Sequence, residues 1–247
     1  WLNHPVDANK EALDERLEAM WKQIALRFRD YDDRLLFAGT NEVNNDDANG
    51  AQPTEENYRV QNGFNQVFVN TVRATGGRNH YRHLIVQAYN TDVAKAVAHF
   101  TMPLDIVQNR IFLECHYYDP YDFTIMPNDE NFKSQWGAAF AGGDVSATGQ
   151  EGDIEATLSS LNVFINNNVP VIIGEYGPTL RDQLTGEALE NHLKSRNDYI
   201  EYVVKTCVKN KLVPLYWDAG YTEKLFDRTT GQPHNAASIA AIMKGLN

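Results

Sequence analysis

The feature that most constrains the fold is a regular alternation of short apolar runs with longer amphipathic segments. The clearest run, residues 169–177, is rich in β-branched residues and lacks the polar alternation of a strand with one solvated face. Continuous runs of this kind are typical of strands buried on both sides, as in a parallel sheet covered by helices. The predicted strands lie in residues 35–38, 83–89, 111–118, 169–177 and 212–217.

The segments between these runs have the three- and four-residue apolar spacing of helices that pack on a sheet. Strand–helix alternation at this spacing predicts βαβ units and a parallel sheet. A closed barrel of this type needs eight strands, so five strands predict either an open sheet or a barrel that lacks three upstream units. The predicted helices are residues 7–28, 92–100, 154–165, 188–209 and 235–244, together with one that begins after Thr54 and ends before Gly76.

Size and charge narrow the class of protein. The chain has 247 residues, of which 43% are hydrophobic and 22% charged, so residues 1–247 fit one α/β domain of barrel size. A formal net charge of −11 argues against binding to nucleic acid, because phosphate contacts need clustered Lys and Arg. No apolar run approaches the ~20 residues of a membrane span.

Two apolar runs end on a glutamate. The first leads through Gly39 and Thr40 to Glu42, and the second ends on Glu175, which lies between Gly174 and Gly177. If both strands belong to one parallel barrel, their carboxyl ends lie on the same face and the two carboxylates can meet there. The alternative for each glutamate is a carboxylate that merely caps the following loop.

Other candidate sites carry less specific signals. Asp46, Asp47 and Asn49 are possible calcium ligands, but their spacing matches no complete oxygen-ligand loop. Cys115 and Cys207 have no metal-type spacing, and two buried free thiols are favoured over a disulfide. The sequence lacks a phosphate-binding glycine loop, a Ser-His-Asp pattern and a Cys/His metal pattern, so no cofactor is implied.

The strand ends together resemble one known family. Asn41-Glu42, His116-Tyr117-Tyr118, Gly174-Glu175-Tyr176-Gly177 and Trp217 are similar to motifs of glycoside hydrolase family 5, in the family's order. The loop sequence of residues 117–124 narrows this resemblance to endoglucanases and xyloglucanases of the rumen bacterial type. It covers essentially the whole chain but about the last two thirds of the family's domain. The implied fold is a (β/α)8 TIM barrel, of which about the last five βα units are present and the first three strands are absent.

The resemblance implies a role for each matching residue. Glu42 would be the acid/base and Glu175 the nucleophile of a retaining reaction, which requires carboxyl groups ~5 Å apart. Asn41 would bind the sugar 2-hydroxyl and Trp217 would stack on a sugar ring. His116 would orient Glu42 or a sugar hydroxyl, and Tyr118 would donate a hydrogen bond to Glu175. Further candidate sugar platforms are Tyr89, Tyr121, Phe123, Trp136 and Tyr176, of which we expect only one or two to bind a sugar.

The function that the resemblance implies is endo-β-1,4-glycanase activity on cellulose, mixed-linkage glucan or xyloglucan, in an extracellular or periplasmic location. A mannanase of the same family is an alternative. Another is an inactive or polysaccharide-binding fragment that keeps aromatic platforms without placing both glutamates. The implied partners are the β-glucan substrate and an N-terminal barrel segment that this chain lacks.

Overall fold

A computed structural model describes residues 1–45, 52–128, 131–221 and 224–247. The possible calcium ligands Asp46, Asp47 and Asn49 lie outside these residues. Five parallel strands form one sheet in which the strands are hydrogen-bonded in sequence order. The strands are β1 (Phe37–Ala38), β2 (Leu84–Gln87), β3 (Ile111–Tyr117), β4 (Val171–Tyr176) and β5 (Val213–Tyr216).

Helices alternate with the strands as the apolar spacing predicts, so the α/β class and the five βα units are confirmed. Most boundaries lie within two residues of the predicted ones, and one predicted helix is divided. The segment predicted as one helix over residues 154–165 consists of two helices, and the described part of the loop before it contains two short helical turns, Tyr121–Thr124 and the 3-10 turn Ala138–Phe140. The helices are α1 (Asp7–Arg27), α2 (Glu55–Ala74), α3 (Val93–His99), α4 (Tyr121–Thr124), α5 (Glu151–Ser160), α6 (Asn162–Ile165), α7 (Gly186–Lys209) and α8 (Ala236–Gly245).

The chain divides into two compact units, Trp1–Cys115 with Val163–Val171, and His116–Asn162 with Ile172–Asn247. In the first unit, α1 and α2 pack on β1 and β2 around the half-buried Trp21. The Trp21 ring centroid lies 4.5 Å from that of Phe68 and 5.5 Å from that of Phe37. Aromatic pairs at such distances stabilise a core beyond the area that they bury.

The core of the second unit lies along α7. Tyr199 and Cys207 are fully buried there, and the Tyr199 ring lies 5.2 Å from that of Trp136 and 5.6 Å from that of Phe123. Leu193, which the helical pattern places among the buried residues, is 37% exposed, so this prediction is wrong.

Both cysteines are buried and free, as the sequence favours. Among the described residues, none of the helices combines the length and the apolar character that crossing a bilayer requires.

A buried histidine makes the stability of the second unit depend on pH. His192 Nδ1 donates to the Ser134 carbonyl at 2.8 Å, and Nε2 accepts from the Arg181 backbone N–H at 3.0 Å. An acceptor nitrogen carries no proton, so the folded ring is neutral. Burial lowers the pKa of His192 from 6.5 to about 4. Between these values the unfolded chain binds a proton that the folded chain does not.

We therefore expect the contribution of neutral His192 to the free energy of unfolding to be complete above pH 6.5 and to be lost as pH falls towards 4. The loss amounts to about 3 kcal/mol of unfolding free energy. Urea denaturation between pH 7 and pH 4 measures this loss. It is carried out on the parent, on His192→Gln and on the exposed control His234→Gln. The His192 variant should show a shallower pH dependence than the other two, and equal slopes in all three proteins would contradict this assignment.

Candidate active site

Glu175 lies where β4 loses its regular pairing with β5. Ile173 pairs with Pro214 and Tyr176 with Tyr216, so three steps along β4 match two along β5. Gly174 and Glu175 therefore occupy a β-bulge, a feature that redirects side chains and is enriched beside active sites. The Glu175 side chain is 14% exposed, which leaves a nearly buried carboxylate at the end of an apolar strand.

Two side chains near the end of β3 contact the Glu175 carboxylate. The Tyr118 hydroxyl donates to Oε2 at 2.8 Å, which is the hydrogen bond that the resemblance implies. His116 Nδ1 lies 3.6 Å from the same oxygen, beyond ordinary hydrogen-bond length but close enough for electrostatic attraction when the ring is protonated. The sequence did not assign this second contact. A donor to one carboxylate oxygen favours the ionised form and fixes the plane of the group.

Removal of the Tyr118 hydroxyl tests this contact. We expect Tyr118→Phe to lower kcat for the glycan hydrolysis that the resemblance implies by about tenfold to hundredfold, because the carboxylate loses a hydrogen bond and its fixed orientation. The melting temperature should stay close to that of the parent. Tyr81→Phe, at a 62% exposed ring in the first unit, is the matched control. A Tyr118 variant as active as the control would show that the hydroxyl does not serve the reaction.

The segment after Glu175 approaches β5 closely. Gly177 has φ of 155°, and a Cβ at this position would lie 3.1 Å from the Tyr216 ring, so a larger residue would have to displace it. The buried Arg196 of α7 holds the segment after β4 and the end of β5 together, since it donates to the Pro178 carbonyl at 2.8 Å and to the Tyr216 hydroxyl at 2.6 Å. Trp217 follows directly. Its backbone N–H donates to the Tyr176 carbonyl at 2.9 Å, and its side chain is 46% exposed.

Glu42 belongs to the first unit and lies four residues after β1. Its φ is +50°, a left-handed conformation that costs a residue with a Cβ about 1 kcal/mol or more. Its backbone N–H donates to Gln87 Oε1 at 3.2 Å, and the carbonyl of the following Val43 accepts from the Asn90 N–H at 2.9 Å. Backbone strain held by neighbouring groups is common at functional sites. The Asn41 side chain, one residue earlier, is exposed.

Burial excludes four of the five candidate aromatic platforms. Tyr89, Phe123, Trp136 and Tyr176 are at most 6% exposed, and their rings pack in the cores of the two units. The sequence could not separate core rings from surface rings, because both occur at strand ends and in loops. Tyr121 is exposed and keeps its place as a candidate platform.

The sequence also missed two polar residues that hold the site segments. Gln87 ends β2 in the same way that the glutamates follow their strands, and this shared pattern is a signal that could have identified it. Arg196 lies on the buried face of a helix. It lies three residues before Tyr199 and four before Ile200, so a charged residue on the apolar face of the helix is the signal that could have identified it. Its role follows from its contacts with Pro178 and Tyr216.

Comparison with known proteins identifies the family. The family model for cellulases of glycosyl hydrolase family 5 matches residues 1–223. The chain belongs to glycosyl hydrolase family 5. Membership confirms the family resemblance and the α/β barrel fold, represented here by about five βα units.

Relatives of known structure and sequence agree with this membership. The chain is 34% identical to Endoglucanase A of Paenibacillus barcinonensis, and the match covers all of this chain and 63% of that protein. A family 5 xyloglucanase from Paenibacillus pabuli is 34% identical with a TM-score of 0.91, over 100% of this chain and 71% of that one. A broad-specificity endoglucanase from Bacteroides salanitronis is 34% identical with a TM-score of 0.85, over 97% of this chain and 64% of that one. The chain therefore spans about two thirds of the proteins that it resembles.

Proposed function

We propose that the protein is a retaining endo-β-1,4-glycanase that hydrolyses β-glucans such as cellulose, mixed-linkage glucan or xyloglucan. The observation that carries the proposal is the Glu175 carboxylate, nearly buried in a strand-end bulge and hydrogen-bonded by Tyr118 at 2.8 Å. Membership of family 5 and the activities of the relatives, an endoglucanase and a xyloglucanase, support this substrate class.

The proposed reaction has two displacements at the anomeric carbon. In the first, a Glu175 oxygen attacks that carbon while its bond to the leaving oxygen breaks, and Glu42 gives its proton to that oxygen. In the second, Glu42 takes a proton from water, and the water oxygen replaces Glu175 at the anomeric carbon. Two inversions give net retention, and both glutamates return to their starting protonation states. The mechanism requires the two carboxyl groups to be ~5 Å apart.

The other site residues bind and orient the substrate in this proposal. Asn41 holds the sugar 2-hydroxyl by a hydrogen bond that strengthens in the transition state. Trp217, 46% exposed after β5, stacks on the C–H face of a sugar ring. Tyr118 orients Glu175 by a hydrogen bond that favours its ionised form, and His116 orients Glu42 or a sugar hydroxyl. Residues 1–247 act as one catalytic domain, and an additional barrel segment of the kind present in the longer relatives completes it. The polymeric substrate places the protein outside the cell or in the periplasm.

A second candidate function is polysaccharide binding without hydrolysis. The exposed rings of Trp217 and Tyr121 favour it, because sugar platforms bind glycans whether or not the glutamates react. A third candidate function is hydrolysis of mannan by the same site.

One experiment separates these functions. The chain is incubated with carboxymethyl-cellulose, mixed-linkage glucan, xyloglucan and glucomannan, and reducing ends are counted beside retention in affinity gels that contain each polymer. The proposal predicts new reducing ends on at least one β-glucan, with loss of the product in Glu42→Ala and Glu175→Ala. Retention in the gels without hydrolysis would establish the binding function instead. Hydrolysis confined to glucomannan would establish the mannan-directed one.

A further inference from the structure

Gln87 connects two carboxylate-bearing elements of the first unit. It is the last residue of β2, and it is 1% exposed. Its Nε2 donates to Glu114 Oε2 of β3 at 3.0 Å. Its Oε1 accepts from the Glu42 backbone N–H at 3.2 Å and from the Thr40 hydroxyl at 3.3 Å. One carboxamide thus links β3 to the turn that carries Glu42.

The chemistry of its neighbours fixes the orientation of this carboxamide. A carboxylate accepts hydrogen bonds and a backbone N–H donates them. The amide nitrogen of Gln87 must therefore face Glu114, and its oxygen must face Glu42. The opposite orientation would set oxygen against oxygen on one side and N–H against N–H on the other.

Side chains of α2 hold the main chain of Gln87. The Gln87 carbonyl accepts from Asn65 Nδ2 at 2.8 Å and from Gln61 Nε2 at 3.2 Å. Gln61 and Asn65 lie one turn apart on the buried face of α2, where they are at most 1% exposed. Buried amides cost desolvation that apolar residues would avoid. Their presence on a core-facing helix indicates that the position of Gln87 matters.

We propose that Gln87 is a positioning residue for Glu42, which it holds in the left-handed turn from which the carboxylate reacts. The inference rests on the proposed function, because that function makes Glu42 the acid/base. The φ of +50° at Glu42 is unfavourable for a residue with a Cβ, and the Gln87 oxygen gives its N–H a fixed acceptor in that conformation. The direction of a side chain follows from its backbone, so this acceptor helps to aim the Glu42 carboxylate.

Replacing the Gln87 carboxamide with a carboxylate tests the proposal. Gln87→Glu keeps the shape and the acceptor that faces Glu42, but it replaces the donor to Glu114 with a second acceptor. We expect kcat/KM on aryl cellobiosides with poor leaving groups to fall at least about tenfold, since misplacement of a catalytic group by ~1 Å costs up to ~10²-fold. The dinitrophenyl cellobioside should stay near the parent value, because dinitrophenolate departs without protonation. Adding Glu114→Gln restores a donor between the two side chains and should recover most of the loss.

A second readout does not depend on activity. In Gln87→Leu the Glu42 amide loses its acceptor, and we expect its hydrogen exchange to accelerate at least about tenfold while the β2 amides exchange as in the parent. Parent kinetics in Gln87→Glu, no recovery in the double variant, or unchanged exchange at Glu42 would each overturn the inference.

Glu42→Gln in the same substrate series separates this inference from the proposed function. If Glu42→Gln shows the leaving-group dependence and Gln87→Glu does not, the inference alone fails. If Glu42→Gln hydrolyses every substrate like the parent, the acid/base role fails and the inference fails with it. If the parent hydrolyses none of them, the proposed function fails, and Glu42 exchange alone decides whether Gln87 holds the turn.

Discussion

Glu175→Ala is expected to lower kcat for β-glucan hydrolysis by on the order of 10⁴-fold or more, because no group remains to form the glycosyl-enzyme bond. The side chain is 14% exposed, so its removal also leaves a small cavity at the β4 bulge. Azide can enter such a cavity and attack the anomeric carbon of an activated glycoside from the nucleophile's side. The rescued product should be the α-glycosyl azide.

Glu42→Ala gives the complementary result. The glycosyl-enzyme still forms from a dinitrophenyl glycoside, and azide then displaces Glu175 to give the β-glycosyl azide. Glu187→Ala, at an exposed position in the first turn of α7, is the control and should retain parent activity. Azide products of the same configuration in both glutamate variants would contradict the assignment of the two roles.

Arg82→Met is expected to lower the unfolding free energy by at least about 3 kcal/mol, the largest stability effect that we predict. The guanidinium is 2% exposed and donates to four backbone carbonyls between Phe28 and Leu35, as well as to Asn79 Oδ1. It also lies 4.7 Å from the centre of the Phe37 ring of β1. Methionine fills similar space but leaves these carbonyls without their donor.

Urea denaturation and hydrogen exchange in residues 28–38 measure this effect. The matched control is Arg34→Met, whose side chain is 89% exposed and pairs with Asp32 on the surface, and we expect little change from it. Equal stability of the two variants would mean that the segment before β1 does not depend on Arg82. A loss of unfolding free energy in Arg82→Met alone would show that this one buried cation stabilises residues 28–38.

The sheet and its helices could be predicted because apolar periodicity is a local signal. The run 169–177 contains Val171, Ile172 and Ile173, and all three are buried in β4. The ends of the elements are less predictable. β1 consists of two residues where four were expected, and the Leu35 carbonyl accepts from Arg82 where a strand would pair it. Tertiary hydrogen bonds of this kind leave no trace in local spacing.

The candidate site could be predicted where a residue type is unusual for its place, as with a glutamate that ends an apolar strand. The resemblance to a known family added roles that spacing alone does not carry, such as the contact of Tyr118 with Glu175. The residues that support the site were not predicted, because amide and guanidinium side chains are common throughout the sequence. Gln87 and Arg196 matter through the atoms they meet, and a sequence shows which atoms meet only after folding. For the same reason the sequence could not show which candidate rings are buried, as Phe123, Trp136 and Tyr176 are.

The central claim is that Glu175 forms a covalent glycosyl intermediate. A 2-deoxy-2-fluoro-cellobioside with a dinitrophenyl leaving group slows the second displacement more than the first, so the intermediate accumulates. Mass spectrometry of the protein and of its peptides after this incubation tests the claim most directly. We predict one added fluorocellobiosyl group on the peptide that contains Glu175, and no label in Glu175→Ala. A label on another residue, or turnover without any label and with inverted product configuration, would contradict the account.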